Sequence, residues 1–237
     1  MNEKLVVTSI SSYPYAARPQ VKLVTKLFNH WGYDYRPYVD PLWQGFASKL
    51  HYMASYAESL IGEATHVLFT DSSDVIPLYG PDRLMDIWHE LGHPWIFCAE
   101  PHIWPEESFQ HGDYPAKAGG DWKNNSYLNS GCYLGEVEHI AKWFAEWTWI
   151  PILRRTDDQE WMTGKYIEHY PDAIKLDMDC KIFLCECGNA WNMEVTPGRC
   201  SYGEVDICTS HPGIVHFNGG SDILTQPEAK TLWEGIL

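Results

Sequence analysis

A chain of 237 residues with 45% hydrophobic content and 12 tryptophans can bury one core of good size, which excludes a disordered polypeptide. Its formal net charge of −15 argues against a general polyanion binder, so nucleic acid is a disfavoured partner, although a local basic patch stays possible. Seven cysteines, an odd number with no CxxC pair, fit neither a disulfide framework nor a zinc knuckle and read as reduced thiols in small core sites.

Taken in order, Met1-Asn2-Glu3-Lys4 runs straight into a short apolar strand, Leu5 to Ile10. That is too short for a signal-peptide core, and no later stretch approaches a membrane-spanning length, so the expected setting is the cytosol with no membrane partner. Thr8 and Ser9 put hydroxyls at the end of this strand. Apolar residues at helical spacing (Val21, Val24, Leu27, Phe28, Trp31) predict a helix over 16–31 that Gly32 stops. Tyr33 to Val39 reads as a second strand and 45–60 as a second helix with Leu50, Met53, Ala54, Ala57 and Leu60 inward. A strand–helix–strand–helix–strand order predicts an α/β fold with a parallel nucleotide-binding half. GxGxxG and Walker-type glycine loops are both missing, which disfavours a dinucleotide dehydrogenase or a P-loop enzyme.

The third strand is the centre of the reading. His66 to Thr70 reads as an apolar strand buried on both faces, and it delivers Asp71 and Asp74 at its C-terminal edge, where open α/β sheets hold ligands. Ser72 and Ser73 are small enough to let both carboxylates turn into one cavity. Two hard oxygen donors without a neighbouring cysteine suit Mg²⁺ or Mn²⁺. The competing reading makes Asp71 a turn cap and leaves Asp74 solvated.

Past Asp74, Pro77 and Pro81 forbid a continuous helix, and 82–91 is a short helix at best. Pro94 to Ala99 is another apolar strand, followed by Glu100-Pro101-His102-Ile103-Trp104-Pro105. Glu100 and Trp104 fit a site wall, while a proline-pinned loop with Trp104 as a packing plug fits equally. The polar, glycine-rich 106–125 suits a flap. In Leu128-Asn129-Ser130-Gly131, Gly131 permits close backbone approach and Asn129 and Ser130 offer uncharged hydrogen bonds. Val137 to Trp149 is a strongly apolar helix ended by Pro151. Thr156 is the expected N-cap of the next helix, with Asp157 and Asp158 complementing its positive end. Ile174 to Cys187 reads as strand pieces, 188–209 as a surface excursion without a period, Ile214 to Phe217 as a strand, and 226–237 as a closing helix. A lone His216 is usually structural; beside two aspartates it becomes a candidate third ligand.

Phe69-Thr70-Asp71-Ser72-Ser73-Asp74, Ala99-Glu100-Pro101-His102-Ile103-Trp104-Pro105, Leu128-Asn129-Ser130-Gly131, Asp157-Asp158-Gln159 and His216-Phe217-Asn218-Gly219 follow one another in an order that resembles the glycosyltransferase domain of procollagen lysyl hydroxylases. The resemblance implies a single GT-A-type domain with a mixed central sheet flanked by helices. Residues 1–80 would form its nucleotide half and 81–237 its sugar and acceptor half. It further implies Mn²⁺ (or Mg²⁺) held by Asp71, Asp74 and His216, and a UDP-sugar donor. Asp157 and Asp158 match the end of an acidic run near the transferred sugar, and Trp104 and Asn129 the sugar and acceptor side, to which Glu100 is added as a substrate contact from its place after the buried strand. Thr8, the Asn218-Gly219 turn and Lys49 are the expected donor contacts, Lys49 as a phosphate-facing cation. This chain departs from the family in two places: only two aspartates precede Gln159, and Gly220-Ser221-Asp222 stands where the family commonly carries a lysine. The expected reaction moves a hexose or similar sugar to a hydroxyl on a protein, a glycan or a modified base. A free-standing domain of this kind suits a bacterium, phage or large virus. The rival from another class is a catalytically silent UDP-sugar or glycan-binding module. A metal-dependent nuclease is a third reading, against which the acidic balance speaks.

Overall fold

The computed structural model describes residues 3–114, 126–147, 156–170, 172–186, 193–196, 199–202, 205–208, 212–219 and 223–237; between 193 and 208 only the backbone is described. In chain order the elements are β1 (Leu5–Ser12), α1 (Tyr13–Ala16), α2 (Pro19–His30), β2 (Asp34–Asp40), α3 (Ala47–Ser59), β3 (His66–Thr70), β4 (Val75–Pro77), α4 (Pro81–Leu91), β5 (Trp95–Glu100) and β6 (Tyr127–Glu136). They continue with α5 (Val137–Trp147), α6 (Asp158–His169), β7 (Lys175–Asp177), β8 (Phe183–Cys185), β9 (Met193–Thr196), β10 (Arg199–Tyr202), β11 (Val205–Cys208), β12 (Ile214–His216) and α7 (Pro227–Ile236).

Six strands form the central sheet in the order β2-β1-β3-β6-β5-β7. Strands β2, β1 and β3 run parallel, β6 is antiparallel to both of its neighbours, and β7 is parallel to β5. This is the mixed sheet that the GT-A resemblance implies. Side chains alternate across it with period 2. Val7, Leu68, Ile96, Cys98, Cys132 and Leu134 enter one core with α2, α4, α7 and the strands of a second sheet, β4-β12-β8. Val6, Val67, Phe69, Trp95, Phe97 and Tyr133 enter the other core, against α3, α5 and α6.

Two local features position the site. β3 is buried at all five residues and stops at Thr70, so Asp71 emerges at the sheet edge. On β6 the register with β5 jumps from Tyr133–Phe97 to Asn129–Cys98, so Ser130, Gly131 and Cys132 lack opposite residues on β5. Bulges of this kind bend a strand and re-aim its side chains, and they are common beside active sites. Here the bulge turns Asn129 to Gly131 toward the end of β3, where the Asp71 amide donates to the Gly131 carbonyl at 2.7 Å.

Several boundaries differ from the sequence expectation. α4 is a full eleven-residue helix, because Pro81 stands at its first turn, where a missing N–H costs nothing. Its C-cap is Gly92 in the left-handed region, at φ 60°. α2 begins only at Pro19, after the separate short α1. The 188–209 stretch, expected to be irregular, contains the antiparallel three-stranded sheet β11-β10-β9. The proposed flap over 106–125 lies partly outside the described residues, as does the end of the helix expected to reach Trp149. Cys98, Cys132, Cys180 and Cys185 are buried thiols, in line with the reduced-core expectation; the other three lie outside the described side chains.

Two predictions follow from the packing. A Cβ at Gly135 of β6 would stand 2.6 Å from the Pro94 carbonyl oxygen and 3.0 Å from Trp95 Cδ1. Gly135→Ala is therefore expected to destabilise by about 2 kcal/mol, lowering Tm by roughly 4–8 °C in a thermal melt; an unchanged Tm would contradict the close approach. Glu186, buried beside β8, has its carboxyl pushed up to about 7 by burial and by Glu228. The folded state then holds this proton more tightly than the unfolded chain, so stability falls as pH rises from about 4.5 to about 7. Glu186→Gln should raise unfolding free energy at pH 8 by up to about 3 kcal/mol and change it little at pH 4.5; equal effects at both values would refute this.

Candidate active site

The C-terminal ends of β1, β3 and β5, the β6 bulge, the start of α6 and the end of β12 surround a cavity of about 770 Å³. Six carboxylates are among its described lining residues (Asp71, Asp74, Glu100, Glu106, Asp157, Asp158), against one ammonium, Lys49. That imbalance is the dominant electrostatic fact of the site. It favours a bound cation.

Asp71, Asp74 and His216 bring ligand atoms within 4.8 Å of one another. His216 Nε2 is 3.5 Å from Asp71 Oδ2 and 3.7 Å from Asp74 Oδ2. Both ring nitrogens of His216 and Asp74 Oδ1 are buried without a hydrogen-bond partner among the described residues. Unpartnered buried polar atoms are costly, and one ion with bonds of roughly 2.0–2.6 Å would bind both carboxylates and one nitrogen of the imidazole at once. Two backbone bonds frame the set: the Phe217 amide donates to the Asp74 carbonyl and the Glu186 amide to the His216 carbonyl, both at 2.7 Å. Gly131 keeps the space open. A Cβ there would lie 2.2 Å from His216 Cε1 and 2.8 Å from Asp71 Oδ2, so only glycine leaves room for imidazole and carboxylate to converge. The residues present fit a divalent cation.

Lys49 reaches the same place from α3. Its Nζ lies 2.6 Å from Asp71 Oδ1 and 3.3 Å from Asp158 Oδ2. Burial opposes the ammonium, but Asp158 and Asp71 outweigh it and hold Lys49 above the ordinary lysine range. For Asp71, burial is likewise outweighed by Lys49 and His216, and its carboxyl sits well below the usual carboxylate range. Asp158 goes the other way, since burial raises it more than Lys49 lowers it. Ser130 Oγ donates to Asp158 Oδ2 at 2.7 Å. Lys49, expected to face phosphate, thus has its ammonium engaged by two carboxylates.

Glu100 is a tie between elements. Oε1 accepts from Asn129 Nδ2 at 3.2 Å and from Gln159 Nε2, and Oε2 accepts from Asn218 Nδ2 at 3.0 Å. One buried carboxylate therefore joins β5 to the β6 bulge, α6 and the turn after β12. Asn129 in turn accepts the Gly131 amide at 2.9 Å, which fixes the bulge.

Of the residues singled out from sequence, Lys49, Asp71, Asp74, Glu100, Trp104, Asn129, Asp157, Asp158, His216, Asn218 and Gly219 all line this cavity. Thr8 does not, and that expectation is corrected: its buried hydroxyl donates to the Arg36 carbonyl at 2.8 Å and meets Tyr52 OH at 2.6 Å. β1 runs on to Ser12, so Ser11 and Ser12 take the place at the cavity that Thr8 was expected to hold. Asp157, not Thr156, caps α6, accepting from the Gln159 and Glu160 amides. Trp104 is 55% exposed, which fits a cavity wall and not a packing plug. Sequence reading missed Tyr15, Trp43 and Phe46. The signal was there in Pro41-Leu42-Trp43-Gln44-Gly45-Phe46, a loop with two aromatics directly after a parallel strand.

Comparison with known proteins matches residues 43–226 to the family model described as the PLOD GT domain. The chain is 31% identical over 166 residues to procollagen-lysine,2-oxoglutarate 5-dioxygenase of Drosophila melanogaster, covering 67% of this chain and 22% of that protein. It is 30% identical over 120 residues to procollagen-lysine,2-oxoglutarate 5-dioxygenase 2 of Mus musculus, covering 49% and 15%. Among solved structures, a glycosyltransferase involved in the glycosylation of the major capsid of PBCV-1 aligns over 98% of both chains at 14% identity and TM-score 0.48. The chain belongs to the PLOD GT domain family and spans less than a quarter of the length of these curated relatives.

The cradle is tested by Gly131→Ala. Mn²⁺ affinity, read by electron paramagnetic resonance, is expected to fall at least about tenfold, the scale of a disturbed ligand shell. Wild-type affinity in that variant would mean that the ion binds elsewhere.

Proposed function

We propose that this glycosyltransferase-family domain is a metal-dependent enzyme that moves a hexose or similar sugar from a UDP-sugar to a hydroxyl acceptor. The observation that carries the reading is the convergence of Asp71, Asp74 and His216 on space cleared by Gly131, beside the Lys49–Asp158 pair, in one cavity. A cation of the Mn²⁺ or Mg²⁺ kind, when bound there, would neutralise charge growing on a departing diphosphate.

The chain's own residues supply the rest. Lys49 holds Asp71 at Oδ1, which leaves Oδ2 turned toward His216. Asp158, desolvated and anchored by Ser130, is the carboxylate placed to accept a hydrogen bond from a sugar or acceptor hydroxyl, and its raised pKa suits a base. Asp157 spends one oxygen on the helix cap and is the lesser candidate for this role. Trp43, Phe46 and Trp104 give apolar wall against which a sugar ring can lie. Ser11 and Ser12 are donor-side contacts that agree with 1–80 as the nucleotide half and 81–237 as the sugar and acceptor half, and the Asn218-Gly219 turn adds a donor contact from the second half. The acceptor is a protein side chain, a glycan or a modified base. Buried thiols at Cys98, Cys132, Cys180 and Cys185 favour a reducing, cytosolic setting; among the described residues, no helix is long and apolar enough to cross a membrane.

A silent binding module is the second reading, and the diversion of Asp157 into a cap favours it. One assay separates the two. Incubation with a panel of UDP-sugars and Mn²⁺ should release UDP, and Asp71→Asn and Asp74→Asn should each cut the rate by about 10²–10³-fold, a scale expected when transition-state charge loses its partner. Binding of UDP-sugar by calorimetry without any release would favour the module. Undiminished release in EDTA would refute metal dependence.

A further inference from the structure

Behind the carboxylate set lies a second group of metal-ligating side chains with different chemistry. Cys98 sits on the face of β5 that packs against the small sheet β4-β12-β8, and that sheet contributes Cys185 at the end of β8 and His216 at the end of β12. Strand β12 runs parallel to β8 with His216 opposite Cys185, so the register sets imidazole and thiol side by side. The two sulfurs and a ring nitrogen lie within 4.8 Å of one another, and all three residues are at most 3% exposed. The carboxylate cluster reaches the same ring, through the nitrogen that faces the cavity.

We propose that Cys98, Cys185 and His216 form a second cation site, specific for thiophilic ions of the Zn²⁺ or Cd²⁺ class, which shares its imidazole with the carboxylate site. Bonds of about 2.3 Å to sulfur and 2.0–2.1 Å to nitrogen set ligand atoms roughly 3.5–3.8 Å apart around a tetrahedral ion, so small rotamer shifts from the present spacing close the site. Ligand softness separates the two places. Thiolates select Zn²⁺ and Cd²⁺, whereas two carboxylates and an imidazole suit Mn²⁺ and Mg²⁺. Charge also agrees, because two thiolates cancel a dication and leave a neutral cluster in an apolar core. A neutral imidazole has one nitrogen with a lone pair to offer, so His216 serves one ion at a time. The two ions therefore compete. Occupation of the sulfur site takes the third ligand from the carboxylate site, which makes thiophilic ions antagonists of Mn²⁺. This site stands whether or not the domain transfers sugar.

The test is a Cd²⁺ titration of the full chain under reducing conditions, followed by thiolate-to-Cd²⁺ charge-transfer absorption in the ultraviolet. Because other cysteines contribute, the reading is the difference between wild type and Cys98→Ser. A two-thiolate component is expected in wild type and at least about tenfold weaker in the variant; Cys185→Ala serves the same comparison if Cys98→Ser does not fold. Loading with Cd²⁺ should weaken Mn²⁺ binding at least about tenfold in wild type and leave it unchanged in Cys98→Ser. Asp71→Asn/Asp74→Asn should keep the Cd²⁺ component and lose Mn²⁺ binding, so failure of the carboxylate site is read separately. Identical Cd²⁺ titrations for wild type and Cys98→Ser, or Mn²⁺ binding indifferent to Cd²⁺ in wild type, would overturn the proposal.

Discussion

Six carboxylates around one cavity, opposed by a single ammonium among the described lining residues, impose the constraint on which the rest of the structure depends. The buried members of such a set need compensation supplied in place. Lys49 supplies part of it, at 2.6 Å from Asp71 and 3.3 Å from Asp158, from a helix whose other inward residues are Ser48 and the apolar Ala47, Leu50, Met53 and Ala57. Leaving the buried Asp158 without this partner would cost on the order of 3–5 kcal/mol. Glu100 is managed differently, by three side-chain amides from three elements. What stays unsettled among the described residues is the Asp74–His216 side, where buried polar atoms lack hydrogen-bond partners. A cation of the proposed kind would complete that side.

The backbone makes this arrangement possible. β3 stops after five buried residues, and the β6 bulge brings Gly131 within hydrogen-bonding distance of Asp71. Without a side chain at Gly131, a strand from the central sheet and a strand from the small sheet can approach closely enough for Asp71 and His216 to meet. The same close approach sets Cys98 and Cys185 behind His216. Hard and soft ligand sets are thus two faces of one packing event, with a single imidazole between them.

Much of this was legible in the sequence, for stated reasons. Buried strands such as His66 to Thr70 announce themselves as apolar runs, and polar residues directly after them mark the ligand edge. Asp71, Asp74 and Glu100 were readable on that ground and Asn129 from its place beside Gly131, while His216 was a candidate ligand by residue type and the family resemblance joined it to Asp71 and Asp74 across more than 140 residues. Thr8 misled because the strand runs four residues past it; nothing in Leu5 to Ser12 marks the true end. Asp157 against Thr156 as cap is a shift of one position, within the usual uncertainty of helix ends. The β9-β10-β11 sheet escaped because its strands are only four residues each, although Pro197-Gly198 and Gly203-Glu204 are two-residue turn signals between them. The Lys49 ion pairs and the Cys98–Cys185 juxtaposition could not be read at all, since both depend on register between elements distant in sequence.

The most direct test of the central claim is anomalous diffraction from a crystal soaked in Mn²⁺. The account requires one strong peak among Asp71, Asp74 and His216, with Lys49 still on Asp71. A peak lodged elsewhere in the cavity, or a well-ordered map with those three side chains in place and no ion between them, would contradict it.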